Sequence, residues 1–200
     1  MVRSNINVVI IELPYHMQRR PRIPRGLDFI SSDLGLTLGA ARQALADTRV
    51  LVDWLFAQGS PRVGLWGFSL GAWLAGMMAR FDSRLHFVVL TTPIVRIDRV
   101  IEELPFCEPL RRGLGEGAID LSGLNLSSQP PCIAASRILI MESRYDLFAP
   151  PETVEELGRT WEGSELWRLP HGHISVMGST STLDRASDWI SGKAHSCTPY

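Results

Sequence analysis

The stretch Gly67-Phe68-Ser69-Leu70-Gly71 places a serine between two segments that favour different structures. Ahead of it lies the short apolar run Val63-Gly64-Leu65-Trp66. Behind it a segment rich in Ala and Gly continues to about Arg80. There Gly71, Ala75 and Ala79 form one stripe of small residues at helical spacing, and Ala72 and Gly76 form another. The order predicted is strand, sharp turn, helix, with Ser69 at the apex. Such an apex strains the serine backbone, and its neighbours must be small for strand and helix to approach closely. Gly67 and Gly71 are expected to meet that need. A plain turn serine is the competing reading.

The rest of the chain repeats the alternation. Ile6 to Glu12 is β-branched and unbroken, as in a strand buried on both faces of a parallel sheet. A long helix is predicted from about Thr37 to Ala57, with Leu38, Ala41, Leu45, Thr48, Val52 and Leu55 on one face, closed by Gly59 and Pro61. Further strands are expected at 63–66, 87–91, 137–142 and 166–169, and helices at about 151–161 and 182–190. Between the strands at 87–91 and 137–142 lie about 45 residues rich in Pro and Gly. That is long for a plain loop, and a small lid at about 95–135 with one short helix near Ile97 to Leu104 is expected. The predicted architecture is a single α/β domain over 1–192, with a mostly parallel sheet of about five strands and right-handed crossovers, and a flexible tail at 193–200.

Two further residues sit where open α/β sheets build their sites, just past the C-terminal ends of strands. Asp146 follows the strand at 137–142, and His173 follows the run Leu166-Trp167-Arg168-Leu169. A serine hydroxyl is a poor nucleophile until an imidazole takes its proton, and a carboxylate fixes the tautomer of that imidazole. Asp146 also reads as a cap for the helix starting near Pro151. Asp98 and Glu142 are reserve acids, and His171 competes with His173. His16, His86 and His195 read as incidental, His86 as structural.

With these residues in order, the chain resembles the α/β-hydrolase superfamily from its first strand to its last helix, where Ser, then Asp or Glu, then His is the order along the chain. Within it, Pro14-Tyr15-His16-Met17-Gln18-Arg19-Arg20-Pro21 is similar to the Pro-Tyr-x-x-x-Arg-x-Pro segment of the α/β-hydrolase domain-containing protein 18 group. Gly172-His173-Ile174-Ser175 is similar to that group's Gly-His-Val-Ser. The resemblance implies a three-layer α/β-hydrolase-like fold. It also implies a serine hydrolase acting on a small-molecule acyl substrate, a carboxylic ester, with Ser69 as nucleophile, His173 as base, Asp146 as its orienting acid and the Leu70 N–H in the oxyanion hole. Acyltransferase, thioesterase and peptidase chemistry use the same triad. No cofactor or metal is called for. Tyr15, His16 and Arg19 are candidate substrate-rim residues, and Arg19, Arg20, Arg22 and Arg25 read as either an anion-attracting cluster or a solvated loop.

The N-terminus departs from the superfamily. About three strands should precede the one that Ile6–Glu12 resembles, and the third carries the loop that gives the second oxyanion donor. Either Ile6–Glu12 pairs directly with the strand at 63–66, or the chain is a fragment with an exposed sheet edge open to a second copy. If the first strand takes the third strand's part, the loop Pro14-Tyr15-His16 supplies the donor. A non-catalytic binding module is the rival function.

Composition narrows the classes. A formal net charge of −1 implies no general affinity for nucleic acid or anionic membranes. Cys107, Cys132 and Cys197 are odd in number and share no close spacing, against a disulfide framework or zinc site. With no signal peptide and no membrane-length apolar run in the sequence, a cytoplasmic location is expected.

Overall fold

Four strands form one parallel sheet in the order β1 (Leu65–Phe68), β2 (Val88–Thr91), β3 (Ile138–Ser143) and β4 (Glu165–Leu169). The structure, a computed structural model, describes residues 6–20, 29–114 and 120–195. Every residue of β2 and β3 is buried, which is why these strands read as continuous apolar runs rather than alternating ones. Alternation along the strands still sorts the side chains between the two faces. Val88, Leu90, Ile138 and Ile140 join a core with α1 (Leu34–Ala57), α2 (Leu70–Phe81) and α5 (Pro151–Thr160). Val89, Leu139 and Met141 join a second core with Ala186 and Ile190 of α6 (Thr180–His195). Helices thus cover both faces, and each fully buried Leu or Ile stabilises by about 1.5–3 kcal/mol.

Asp33 caps α1, its Oδ1 accepting from Gly35 N at 2.7 Å and Leu36 N at 3.2 Å. This satisfies two of the four helix-start donors and moves the start three residues ahead of the expected Thr37. The helix ends before Gly59, which takes a positive φ of 83°.

The run Ile6–Glu12 is not a strand, so the described sheet has four strands and not about five. Nothing among the described residues forms a ladder with it. Ile6 packs on the α6-side core, while Val8, Val9 and Ile10 are 56, 52 and 88 % exposed. β-Branched composition favours a strand only when a neighbour is there to pair with it. The outer edge of β1 is open among the described residues.

Between β2 and β3 the described residues form two helices where one was expected, α3 (Ile97–Glu103) and α4 (Glu108–Leu114), joined and followed by short 3₁₀ turns. Buried side chains of α2 brace this segment. Trp73 Nε1 donates to Leu124 O at 2.8 Å, and the Arg80 guanidinium donates to Asn125 O at 3.0 Å. The last helix extends to His195, so residues 193–195 of the expected tail at 193–200 are helical, and the other five lie outside the described residues.

At the elbow the two glycines do different jobs. A Cβ on Gly67 would lie 2.1 Å from Gly71 O, whereas a Cβ on Gly71 would meet nothing within 4 Å. The expected need for a small residue therefore holds at Gly67 and not at Gly71. Gly67→Ala should cost at least about 2 kcal/mol, because a backbone carbonyl cannot yield as a side chain can. Gly71→Ala should be neutral or stabilise by up to about 1 kcal/mol, since alanine favours the helix. Urea unfolding of both variants checks this; equal midpoints would refute the asymmetry.

Candidate active site

Ser69 sits between β1 and α2 with φ 54° and ψ −116°, a conformation that L-residues rarely adopt. Its backbone is held on both sides. Ser69 N donates to Thr91 O at 2.9 Å, tying the apex to β2, and Ser69 O accepts from Trp73 N at 3.0 Å, opening the helix. These bonds offset a backbone strain of about 1–3 kcal/mol.

The Ser69 hydroxyl donates to His173 Nε2 at 2.7 Å, and His173 Nδ1 donates to Asp146 Oδ1 and Oδ2 at 2.9 and 2.8 Å. Both partners of Nδ1 are carboxylate oxygens, so that nitrogen carries the proton and Nε2 is left as acceptor. Asp146 is 5 % and His173 8 % exposed. Asp146 lies in the tight turn after β3, where Oδ1 also accepts from Phe148 N and Ala149 N, each at 2.8 Å. The residue before α5 in cap position is Pro150, so Asp146 organises its own loop rather than capping that helix. The imidazole packs against two aromatic rings, Phe68 at 5.2 Å and Phe148 at 5.0 Å between centroids. Two backbone bonds stitch the two loops together, Arg144 N to Leu169 O and Tyr145 N to His171 O, both 2.9 Å.

The other candidates lie elsewhere. Asp98 bonds Arg96 through both carboxylate oxygens, at 3.0 and 2.8 Å. Glu142 is on the α5 face of β3, buried, with Arg168 Nε 3.7 Å away; burial pushes its pKa up. His171 contributes its backbone to the loop pairing. His86 bonds Lys193 O at 3.1 Å, fastening α6 to the base of β2. Leu70 is the first residue of α2, where an N–H has no acceptor within the helix and the helix dipole is positive. Of the expected rim residues, Tyr15 packs half-buried against the larger core with φ 63°. His16 Nδ1 lies 3.0 Å from Pro14 O, its ring edge-on to Phe29. Arg19 donates to Glu12 O at 2.9 Å and pairs with Asp47 of α1 at 2.6 Å, so its charge is matched there. None of the three bonds Ser69, Asp146 or His173. Arg22 and Arg25 lie outside the described residues. The two rings packed against His173 carried no signal in the sequence, because Phe68 and Phe148 are remote along the chain and each reads as an ordinary apolar residue.

A parallel sheet covered on both faces, with a serine at a strained strand-to-helix apex, defines the class: the fold is that of the α/β-hydrolases. Residues 1–97 match the family model described as alpha/beta hydrolase domain containing 18. Two uncharacterized proteins of Mycobacterium tuberculosis, Rv2627c and MT2702, are each 25 % identical over 188 residues, covering 87 % of this chain. The chain spans only 43 % of their length. Among solved structures, an esterase of Pyrococcus furiosus superposes with a TM-score of 0.53 at 18 % identity, over 76 % of this chain and 61 % of its own. An α/β-hydrolase from the sediment metagenome of the Mar Chica lagoon, Morocco, gives 0.52 at 18 %, over 77 and 71 %. A puromycin hydrolase mutant gives 0.57 at 14 %, over 77 and 24 %. These likenesses are of fold. Among the described residues no helix is long and apolar enough to cross a membrane.

The Arg96 guanidinium holds the Asp98 carboxyl at about 2, below its ordinary 3.8. A depressed folded pKa means that the pair's stabilisation is present above about pH 4 and lost as pH falls through about 2. Asp98→Asn should therefore flatten the fall in stability over that window. Urea midpoints between pH 5 and 2 decide it, and parallel curves for variant and wild type would refute the assignment.

Proposed function

We propose that the chain is a serine hydrolase that cleaves a carboxylic ester through an acyl-enzyme. The observation that carries this is the unbroken hydrogen-bond chain Asp146–His173–Ser69, closed by residues from three different loops. Ser69 Oγ attacks the acyl carbon while His173 Nε2 takes its proton. Asp146 holds the tautomer and stabilises the imidazolium. The Leu70 N–H donates to the developing oxyanion. His173 then passes the proton to the leaving alkoxide, and the alcohol departs. A water, deprotonated by His173, attacks the acyl carbon and the acid is released with Ser69 restored. An ester asks less of this machinery than an amide, because an alkoxide is a better leaving group than an amine anion. The described residues of the segment 95–135 act as the lid of this site, and Tyr15, His16 and Arg19 belong to the loop at its N-terminal side.

Labelling of the folded protein with a fluorophosphonate probe tests the reading. Wild type should label and Ser69→Ala should not. Asp146→Asn should remain folded and lose about 10⁴-fold in turnover of p-nitrophenyl acetate, by analogy with the serine protease triad. Asp98→Asn should leave labelling intact. Folded wild type that fails to label would overturn the proposal and favour a binding role for the fold.

A further inference from the structure

Each ring that packs on the His173 imidazole comes from the element that carries another member of the hydrogen-bond chain. Phe68, the last residue of β1, directly precedes Ser69. Phe148 lies two residues beyond Asp146 in the same turn, and its N–H donates to Asp146 Oδ1 at 2.8 Å. Its ring centroid is 5.0 Å from that of His173. The turn leaves its other large side chains in solvent: Leu147 is 82 % exposed and Tyr145 66 %, against 42 % for Phe148. Phe148 turns part of its surface away from water and onto the imidazole. Behind it the side chain of Asp146 is 1 % exposed and that of His173 8 %. Asp146 Oδ1 accepts from Phe148 N, Ala149 N and His173 Nδ1, and Oδ2 accepts from His173 Nδ1. A water reaching the pair would compete for Oδ2 and for the Nδ1 proton.

Resting on the hydrolase reading, we propose that Phe148 is a positioning residue whose ring seals the Asp146–His173 pair from water. When Ser69 attacks, its proton passes to His173 Nε2, and the imidazole becomes a cation with its Nδ1 2.8 Å from Asp146 Oδ2. The attraction between the two charges falls as the local dielectric constant rises, so water admitted beside them weakens it. The same water would loosen the bond that aims Nε2 at Ser69. A misplacement of 1 Å at such a site costs on the order of 100-fold in rate. The ring acts by its bulk and through His173, without touching the reacting atoms.

The test uses the full chain and the variants Phe148→Ala, Phe148→Leu and Phe148→Tyr, with Leu147→Ala as the neighbouring control. Each is read by kcat and KM for p-nitrophenyl acetate and by the NMR signal of the His173 Nδ1 proton in protein labelled with nitrogen-15 at histidine. Circular dichroism establishes folding, and Phe148→Val takes the place of the alanine variant if that one does not fold. Phe148→Ala should lose about 10- to 100-fold in kcat with KM little changed, and its Nδ1 proton signal should vanish through exchange with water. Leucine and tyrosine, which restore the bulk, should restore both kcat and the signal. Leu147→Ala should match wild type. A Phe148→Ala variant that keeps kcat and the proton signal overturns the proposal. So does a rise in KM at unchanged kcat, which makes Phe148 a wall for the substrate. Rescue by tyrosine but not leucine overturns the seal in favour of a contact specific to the ring, and an equal loss in Leu147→Ala assigns the effect to the turn as a whole and overturns it too. Absence of fluorophosphonate labelling in folded wild type overturns the hydrolase reading instead; the proton signal needs no turnover and still decides whether Phe148 seals the pair.

Discussion

The contact between Gly67 and the carbonyl of Gly71 sets the distance on which the rest of the site depends. Strand β1 and helix α2 approach so closely there that no side chain fits between them. That approach forces the chain to turn within one residue, which puts Ser69 at positive φ and lifts its hydroxyl clear of the sheet. The hydrogen bond from Ser69 N to Thr91 O then ties the apex to the neighbouring strand. A looser junction would spread the turn over more residues and move the hydroxyl away from His173, whose position is fixed independently by β4.

What the sequence revealed and what it concealed follow from how local each constraint is. The elbow was legible because strand, turn and helix are contiguous, and their requirements fall on five adjacent residues. Asp146 and His173 were legible because parallel sheets gather their loops at one end, so a residue just past a strand has a known place. Ile6–Glu12 was misread because a strand is a property of a pair, and no single segment reports whether its partner is there. Gly71 was misread because one glycine of the pair supplies the space and the other only the carbonyl that fills it. The second helix between β2 and β3, α4, escaped notice among prolines and glycines. Its Leu110 is buried against α3 partners remote from it in sequence, and the Arg111 side chain donates to Ile101 O and Leu104 O.

The segment between β2 and β3 is held by polar groups that the core itself supplies. Trp73 and Arg80 both belong to α2, the helix that begins at Ser69, and both donate to carbonyls in residues 123–125. Arg96 and Arg99 add ion pairs to Glu156 and Glu152 of α5 at 3.6 Å. The surface pairs contribute little on their own. The buried donors matter more, since releasing the segment would leave them without partners in an apolar setting.

The bond between Ser69 and His173 joins residues 104 positions apart. On a chain made from its N-terminus, the elbow can form once β2 has emerged, while the histidine arrives only after β4 has added itself to the far edge of the sheet. A nascent chain therefore carries the serine long before its hydrogen-bond partner is in place. The hydrogen bond is therefore a late event in the protein's own biogenesis, withheld until β4 has joined the sheet.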